Sequence, residues 1–271
     1  MWIDAHCHLA DPRWAVELEQ VLERAAKSGV GRFMQGGVDP EDWDRQRELS
    51  RRYPGRVWPV FGLHPWWVRD PARTDAEIEG ALSLLESAVR EPGVRALGEV
   101  GLDFAGDPAF GEGKLRERQL RIFERQLEIA DKAGKPVVLH VVRAHGEALD
   151  VLERRGRPGR GGLNHAFSGS LEVARRYIEL GLLISVGGGL VRKKGFETLK
   201  RAVVKIPAEA LVIESDAPDQ PPEGWCGRTG LAWNEPSSVL EVAHAVAELR
   251  GERAEAVLER SARNLERVFG E

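Results

Sequence analysis

Two histidines flank a cysteine at the end of the first apolar run of the chain, in the segment His6-Cys7-His8. If this run is a β-strand, residues two apart along it point to the same side, so both imidazoles face one space. Imidazole nitrogens are ligands for zinc, manganese, iron and cobalt ions. A histidine pair at this spacing is common by chance, so it indicates a metal site only if other segments supply further ligands.

Other short apolar runs are followed by such ligands. The full set of candidate ligands is His6, His8, Glu99, His140, His165 and Asp216. Four imidazoles and two carboxylates are more than one tetrahedral ion needs, and two ions about 3.5–4 Å apart suit the set better. A lone histidine at a strand end most often has a structural role, but a buried cluster of such groups requires a counter-charge. We therefore expect two divalent ions per chain, zinc, manganese or magnesium, with magnesium the least suited to a histidine-rich site.

The candidate ligands fall within a regular alternation of short apolar runs and longer amphipathic stretches. Eight strands are predicted near residues 2–8, 32–36, 57–63, 95–98, 136–140, 162–165, 182–186 and 211–215. Helices are predicted over 15–28, 40–52, 75–90, 114–133, 145–154, 171–180, 195–204 and 237–250, with a further helix over 253–269. Strict alternation of strand and helix predicts a parallel sheet with right-handed crossovers.

Eight such units predict an α/β fold of the closed (β/α)8 TIM barrel type, a single domain over residues 1–271 with an additional C-terminal helix. The alternative is an open doubly wound sheet. No G-x-G-x-x-G follows the first strand, which disfavours the dinucleotide-binding version of that fold. In a TIM barrel the loops after the strands form the catalytic face, and this would gather the candidate ligands in one place.

Composition excludes several classes of protein. The chain has 271 residues, 42% of them hydrophobic, which is enough to bury a large core. A formal net charge of −4 excludes a polycation that binds nucleic acid through a global field, so such binding requires a local site. Two cysteines, Cys7 and Cys226, are too few for a disulfide framework. We identify no signal peptide or membrane span, and so expect a soluble cytoplasmic protein without membrane association; no protein partner is inferred.

Several segments, taken in order, resemble the motifs of one known family. They are Asp4-Ala5-His6-Cys7-His8-Leu9, Gly62-Leu63-His64-Pro65, Gly98-Glu99-Val100-Gly101-Leu102-Asp103-Phe104, Leu139-His140, His165-Ala166-Phe167-Ser168-Gly169-Ser170, Glu214-Ser215-Asp216-Ala217-Pro218, Asn234-Glu235-Pro236 and Asn264-Leu265-Glu266-Arg267-Val268-Phe269-Gly270. Over nearly its whole length the chain resembles the TatD-type metal-dependent deoxyribonucleases of the amidohydrolase superfamily. Each motif is modest evidence alone, and the ordered set is strong evidence.

The resemblance implies a role for each candidate ligand. His6 and His8 would hold the more buried ion, and His140 and His165 would hold the second. Glu99 would bridge the two ions. Asp216 would bind the first ion and orient the attacking hydroxide, whose formation it would assist by accepting a proton. Asp216 and Glu99 are therefore the expected catalytic residues.

The implied activity is hydrolysis of DNA phosphodiester bonds by a hydroxide that two metal ions activate, with single-stranded DNA as the nucleic-acid partner and 3′ to 5′ digestion. A second possibility keeps the site and changes the bond to an ester or amide, such as the aminoacyl ester of a mischarged tRNA. A third possibility is a non-catalytic binding barrel, which would be expected to lack some of the ligands. All six ligands are present.

Substrate contacts are expected from loops that follow strands. The candidate phosphate contacts are Arg143, Lys193, Lys194 and Arg228. Lys193 and Lys194 have the alternative of simply facing water at the start of a helix. His64 is expected to contact the substrate or a metal-bound water molecule. Asp103 either orients a metal-binding histidine or caps a helix.

The chain also departs from the family pattern. Trp66 and Trp67 follow His64-Pro65, where the family often has a second histidine, and Ala166 stands where a cysteine is frequent. None of these changes removes a metal ligand. Together with Trp225 and Trp233, the two tryptophans either stack on nucleobases or line the mouth of the barrel.

Overall fold

The candidate ligands lie on or next to short strands that consist mostly of β-branched and aliphatic residues. The computed structural model describes residues 1–106 and 108–270. In these residues there are nine strands, and every pair of neighbours within a sheet is parallel. The strands are β1 (Trp2–Cys7), β2 (Val30–Gln35), β3 (Val57–Trp58), β4 (Val60–Phe61), β5 (Ala96–Asp103), β6 (Val137–Val142), β7 (Gly162–Asn164), β8 (Leu182–Val186) and β9 (Leu211–Ile213).

The strands follow one another around the sheet in chain order, as β1-β2-β3 and then β4-β5-β6-β7-β8-β9. The break falls at Pro59, inside the predicted strand 57–63, because proline has no N–H to donate. On one side of Pro59, Val57 pairs with β2. On the other side, Val60 pairs with Ala96 of β5. β3 and β4 are thus two pieces of one predicted strand that pair with opposite neighbours.

The first and last strands are joined by backbone hydrogen bonds just beyond the end of β9. The N–H of Asp216 donates to the carbonyl of His6 at 3.0 Å, and the N–H of His8 donates to the carbonyl of Ala217 at 2.7 Å. The buried carboxyl group of Asp4 also bridges this seam, because its Oδ1 accepts the N–H of Ser215 at 2.9 Å. The eight strand–helix units predicted from the sequence are confirmed as a TIM barrel.

The helices match the predicted amphipathic stretches to within a few residues at each end. They are α1 (Leu18–Lys27), α2 (Pro40–Arg52), α3 (Pro65–Arg69), α4 (Asp75–Ala88), α5 (Gly113–Ala133), α6 (His145–Arg155), α7 (Leu171–Glu179), α8 (Glu197–Lys205), α9 (Trp225–Thr229), α10 (Val239–Arg250) and α11 (Ala254–Phe269). The short helices α3 and α9, in the loops after β4 and β9, were not expected. In the part of the chain that the structure describes, no helix combines the length and apolar character needed to cross a membrane.

The interior of the barrel is closed at its amino-terminal end by α11. Inward-facing side chains of the strands, such as Ile3, Trp58 and Val138, form one hydrophobic cluster with Leu265 and Phe269 of α11. A larger cluster lies between the strands and the surrounding helices. The additional C-terminal helix therefore seals one end of the barrel, and the polar site occupies the other.

Glutamine side chains from the helices replace ladder hydrogen bonds where the strands are irregular. Gln46 of α2 is fully buried; its Oε1 accepts the N–H of Val60 at 2.9 Å and its Nε2 donates to the carbonyl of Gly36 at 3.1 Å. Gln126 of α5 likewise accepts the N–H of Leu63 and donates to its carbonyl. These contacts pair backbone groups that proline and the neighbouring loops leave without a strand partner.

We expect Gln46→Leu to lower the free energy of unfolding by about 2–4 kcal/mol, because it leaves a buried N–H and a buried carbonyl unpaired. The measurement is urea denaturation followed by circular dichroism. Gln20→Leu is the matched control, since Gln20 is exposed on α1, and it should change stability by less than about 0.5 kcal/mol. Equal midpoints for the two variants would contradict a structural role for Gln46.

Candidate metal centre

His6 of β1 and His8, which directly follows it, face the barrel interior because the strand contains a bulge. Its pairing register with β2 shifts between Asp4 and Cys7, so that one extra residue is inserted into β1. Ala5 belongs to the interior cluster, whereas Cys7 belongs to the outer one. A bulge re-aims the side chains that follow it, and here it turns His6 and His8 together into the mouth of the barrel.

A second bulge, in β5, places Glu99. Gly98 pairs with Val138 and Val100 with Leu139, which leaves Glu99 as the extra residue. Its backbone N–H donates instead to the carbonyl of Gly37 at 2.8 Å. The side chain is 1% exposed and lies at the centre of the site. The sequence placed Glu99 at a strand end, but β5 continues to Asp103, so the carboxylate projects from within the strand.

The remaining candidate ligands follow from ordinary strand alternation and from one unusual backbone conformation. His140 alternates with the outward-facing Leu139 and Val141 of β6. His165 comes directly after β7. Asp216 comes shortly after β9 and has a φ of 57°, in the left-handed region that non-glycine residues rarely occupy. Backbone strain of this kind is concentrated at functional sites.

One oxygen of Glu99, Oε1, faces His6, His8 and Asp216; these we call the Oε1 group. Oε1 lies 3.4 Å from Nε2 of His6 and 3.4 Å from Nε2 of His8. Oδ1 of Asp216 lies 3.7 Å and 3.5 Å from the same two nitrogens. Ligand atoms about 2.1 Å from a tetrahedral zinc ion are about 3.4 Å from one another, so this spacing suits four ligands of one ion.

The other oxygen of Glu99, Oε2, faces His64, His140 and His165; these we call the Oε2 group. Oε2 is 2.7 Å from Nε2 of His165, 3.3 Å from Nδ1 of His140 and 3.7 Å from Nε2 of His64. Nδ1 of His140 is 2.9 Å from Nε2 of His165. Glu99, His64 and His140 lie close enough together to share one cation, and His165 lies equally close to Glu99 and His6.

Two observations show that the residues fit a metal ion. Nε2 of His6 and Oε1 of Glu99 are buried without a hydrogen-bond partner among the described residues, which is costly unless a cation binds there. Gly36 supplies the space, because a Cβ at this position would lie 2.4 Å from Oε1 of Glu99 and 2.5 Å from Cε1 of His8. Imidazole and carboxylate together suit zinc, manganese, iron or cobalt.

The charges of the cluster balance one another. Burial raises the pKa of the Glu99 carboxyl, but the imidazoles of His6 and His165 outweigh it and hold that pKa well below its usual value. Burial likewise opposes ionisation of Asp216, yet the contact with His8 brings its pKa to about 2. Glu99 and Asp216 in turn overcome the burial of His8 and raise its pKa to about 9. The carboxylates are thus ionised, and bound cations would replace protons on the imidazoles.

A second layer of side chains fixes the histidines of the Oε2 group. Oδ2 of Asp103 lies 3.1 Å from Nε2 of His140, while Oδ1 accepts from Arg69 at 2.9 Å and from the N–H of Ala105 at 2.8 Å. Asp103 therefore orients a histidine and also caps a turn. Glu214 lies 3.7 Å from Nδ1 of His165. Such partners set the ring orientation of a metal-binding histidine.

His64 differs from the other imidazoles of its group. Its Nδ1 accepts the N–H of Trp66 at 3.0 Å. Burial and the neighbouring His140 lower its pKa well below the usual value, so the ring is neutral. A neutral imidazole that accepts at Nδ1 carries its proton on Nε2. His64 thus presents an N–H donor toward Glu99 and His140, which suits the contact with substrate or water expected from the sequence.

The four basic residues expected to contact phosphate have different surroundings. Arg143 follows β6 with a φ of 55°, is exposed, and has no hydrogen bond or ion pair with the residues described. Lys193 is 85% exposed, 4.0 Å from Glu223. Lys194 is also exposed. Arg228 is held by both oxygens of Glu241, at 2.7 Å and 2.6 Å, so its guanidinium is already paired.

Sequence reasoning missed part of this arrangement. It did not place His64 beside Glu99, and it gave no role to Gly36 or to Gln220, whose Nε2 donates to Oδ2 of Asp216 at 2.7 Å. The polar Glu214 directly before Ser215-Asp216, at the end of an apolar run, was a signal that could have marked it as a partner of His165.

Comparison with known proteins agrees with the geometry. A family model described as TatD related DNase matches residues 3–270. The chain is 34% identical over 269 residues to the metal-dependent hydrolase YjjV of Escherichia coli K12, covering 99% of this chain and 97% of the relative. It is 29% identical over 267 residues to the 3′-5′ ssDNA/RNA exonuclease TatD of Citrobacter koseri, covering 98% of each.

A solved structure also matches. The crystal structure of the E. coli TatD homologue YjjV superposes with a TM-score of 0.86 at 33% identity, covering 100% of this chain and 98% of that one. The match to the family extends over almost the whole chain, and relatives carry the name metal-dependent hydrolase. The chain belongs to the TatD-related DNase family and is a metal-dependent hydrolase.

Proposed function

We propose that this protein is a 3′-5′ exonuclease that hydrolyses phosphodiester bonds of single-stranded DNA with two divalent metal ions. The observation that supports the proposal most directly is the position of Glu99 between two groups of candidate ligands. Its Oε1 faces one group and its Oε2 faces the other. The similarity to the Citrobacter koseri 3′-5′ ssDNA/RNA exonuclease supports the substrate and the direction of digestion.

In this proposal the Oε1 group holds one ion, and Glu99 with His140 and His165 holds the other. Bound divalent ions polarise a phosphoryl oxygen and lower the pKa of a water molecule. Gly36 leaves the room that the carboxylate and the imidazoles require. Asp103 and Glu214 keep His140 and His165 in orientation.

Asp216 is the proposed proton acceptor. It is ionised at neutral pH, since its pKa is about 2. Gln220 holds Oδ2 by a hydrogen bond, which leaves Oδ1 directed at His6 and His8. A carboxylate fixed beside the reacting groups accepts a proton during the reaction and returns it to the leaving oxygen.

The substrate would be positioned by donors around the site. The Nε2–H of His64 is available to a phosphoryl oxygen or to water beside Glu99. Arg143 and the lysines of the loop after β8 carry exposed positive charge on the catalytic face. They would neutralise phosphates of the strand, which is the main source of affinity for nucleic acid.

We expect Asp216→Asn to lower kcat by about 10²- to 10⁴-fold, because it removes the proton acceptor. The assay is stepwise shortening of 5′-labelled single-stranded DNA and RNA with manganese or magnesium. Asp219→Asn is the matched control; this carboxylate lies in the same loop, is half exposed and pairs with Arg13. The control should keep its rate within about twofold. Wild-type rates in Asp216→Asn would overturn the assignment.

We expect Gly36→Ala to abolish at least half of the metal binding, from about two ions per chain, because the added methyl group occupies the space beside Glu99 and His8. Metal content after dialysis, measured by atomic emission, gives the readout, and circular dichroism verifies the fold. Gly80→Ala is the control, since a Cβ there meets nothing within 4 Å. Full metal content in Gly36→Ala would contradict the proposed position of the ions.

We expect the double variant Lys193→Ala/Lys194→Ala to bind single-stranded DNA with a weaker salt dependence. The slope of log affinity against log salt should become shallower by about 0.7 for each phosphate that the lysines no longer neutralise. Arg228→Gln should leave the slope unchanged, because Glu241 already pairs with this guanidinium. Fluorescence anisotropy over a salt series measures both. If only Arg228→Gln changed the slope, Arg228 rather than the two lysines would be the residue that neutralises phosphate.

A further inference from the structure

Trp66 places an exposed indole beside the metal centre. It is the second residue of α3, directly after His64-Pro65. Its ring centroid is 4.7 Å from that of His64 and 5.9 Å from that of His140, and 55% of the residue is exposed. A large aromatic group at a site wall, left in water, offers apolar area to a ligand.

The indole is fixed in orientation. Its Nε1–H donates to Oδ2 of Asp103, the same carboxylate that contacts His140. Asp103 is in turn held by Arg69, whose guanidinium lies 4.0 Å from the ring centroid of Phe110. A ring that is already held in place loses little conformational entropy when a flat ligand stacks on it.

The other three tryptophans of these loops differ from Trp66, because each is either buried or has a guanidinium near its ring. Trp67 is half-buried, with the guanidinium of Arg73 4.5 Å from its ring centroid. Trp225 is buried. Trp233 is 44% exposed, but the guanidinium of Arg13 lies 5.1 Å from its ring centroid. In residues 1–106 and 108–270, by contrast, no ring is stacked parallel to Trp66 and no guanidinium lies over it.

We propose that Trp66 is a stacking platform for the nucleobase next to the cleaved phosphodiester bond. The inference rests on the proposed exonuclease function and adds a determinant of its specificity. Every base has a flat face, so stacking accepts any sequence. A base in a duplex is already stacked and paired and must be withdrawn at an energetic cost, so a fixed indole favours a single-stranded end.

The test compares two single-stranded oligonucleotides that differ only in whether the 3′-terminal nucleotide carries a base or an abasic tetrahydrofuran. We expect Trp66→Ala to lower kcat/KM for release of the terminal nucleotide by about 5- to 150-fold on the complete strand. On the abasic strand it should leave kcat/KM close to that of the wild type. Trp66→Phe, which keeps a ring but loses the N–H, should retain most of the preference for the complete strand over the abasic strand. Trp67→Phe is the matched control.

Each outcome supports or overturns the proposal. Equal losses on both strands, in Trp66→Ala and Trp66→Phe alike, would mean that Trp66 acts only through Asp103 and His140. Unchanged rates would exclude any role. If the wild type binds both strands but cuts neither, the proposed function fails. Fluorescence anisotropy of the same two strands then tests stacking, which predicts that Trp66→Ala weakens binding of the complete strand but not of the abasic strand. A wild type that neither binds nor cuts overturns both proposals.

Discussion

A single buried carboxylate, that of Glu99, sets the requirements for the rest of the site. An ionised group 1% exposed is stable only if charge of the opposite sign surrounds it. In the absence of metal, His8, His140 and His165, whose pKa values are raised by the neighbouring carboxylates, contribute this charge as protonated imidazoles. Bound cations would replace these protons, because the same nitrogens bind both. The buried carboxylate therefore requires several histidines around it. Its two oxygens face different histidines, which form the Oε1 and Oε2 groups.

Regular strands would not direct all of these side chains toward Glu99. Local irregularities in the strands of the barrel bring them together. A regular strand would turn Glu99 away from the interior side on which Gly98 lies, and the bulge in β5 places both on that side. The bulge in β1 does the same for His6, and the left-handed backbone of Asp216 brings its carboxylate to the same point. Such features weaken the carboxyl-terminal end. At the opposite end, the hydrophobic cluster that includes Leu265 and Phe269 of α11 stabilises the barrel. The stabilising core and the candidate site therefore lie at opposite ends of the barrel axis.

The sequence predicts the regular parts of this design well because they have local causes. The helix over 40–52 is predicted to the residue: Asp39 caps it, Pro40 begins it and a polar face runs along it. The candidate ligands could be grouped from the sequence because barrel topology brings strand ends together. The five-residue helices α3 and α9 are too short to show a period, and β5 extends to Asp103 through glycines that disfavour strands. Pairing of Arg228 with Glu241 depends on tertiary packing, which no local pattern encodes.

The charge of the site also bears on how a polyanionic substrate could enter it. Four buried carboxylates lie in or behind the two groups: Glu99 and Asp216 among the candidate ligands, and Asp103 and Glu214 behind them. Without bound cations, the protonated imidazoles of His8 and His165 only offset these carboxylates. Two divalent cations would add the positive charge that attracts a phosphodiester. Metal loading should thus govern substrate binding as well as the chemical step. In the proposed function, the basic residues of the rim and the indole of Trp66 would hold the part of the strand that lies beyond the metal ions.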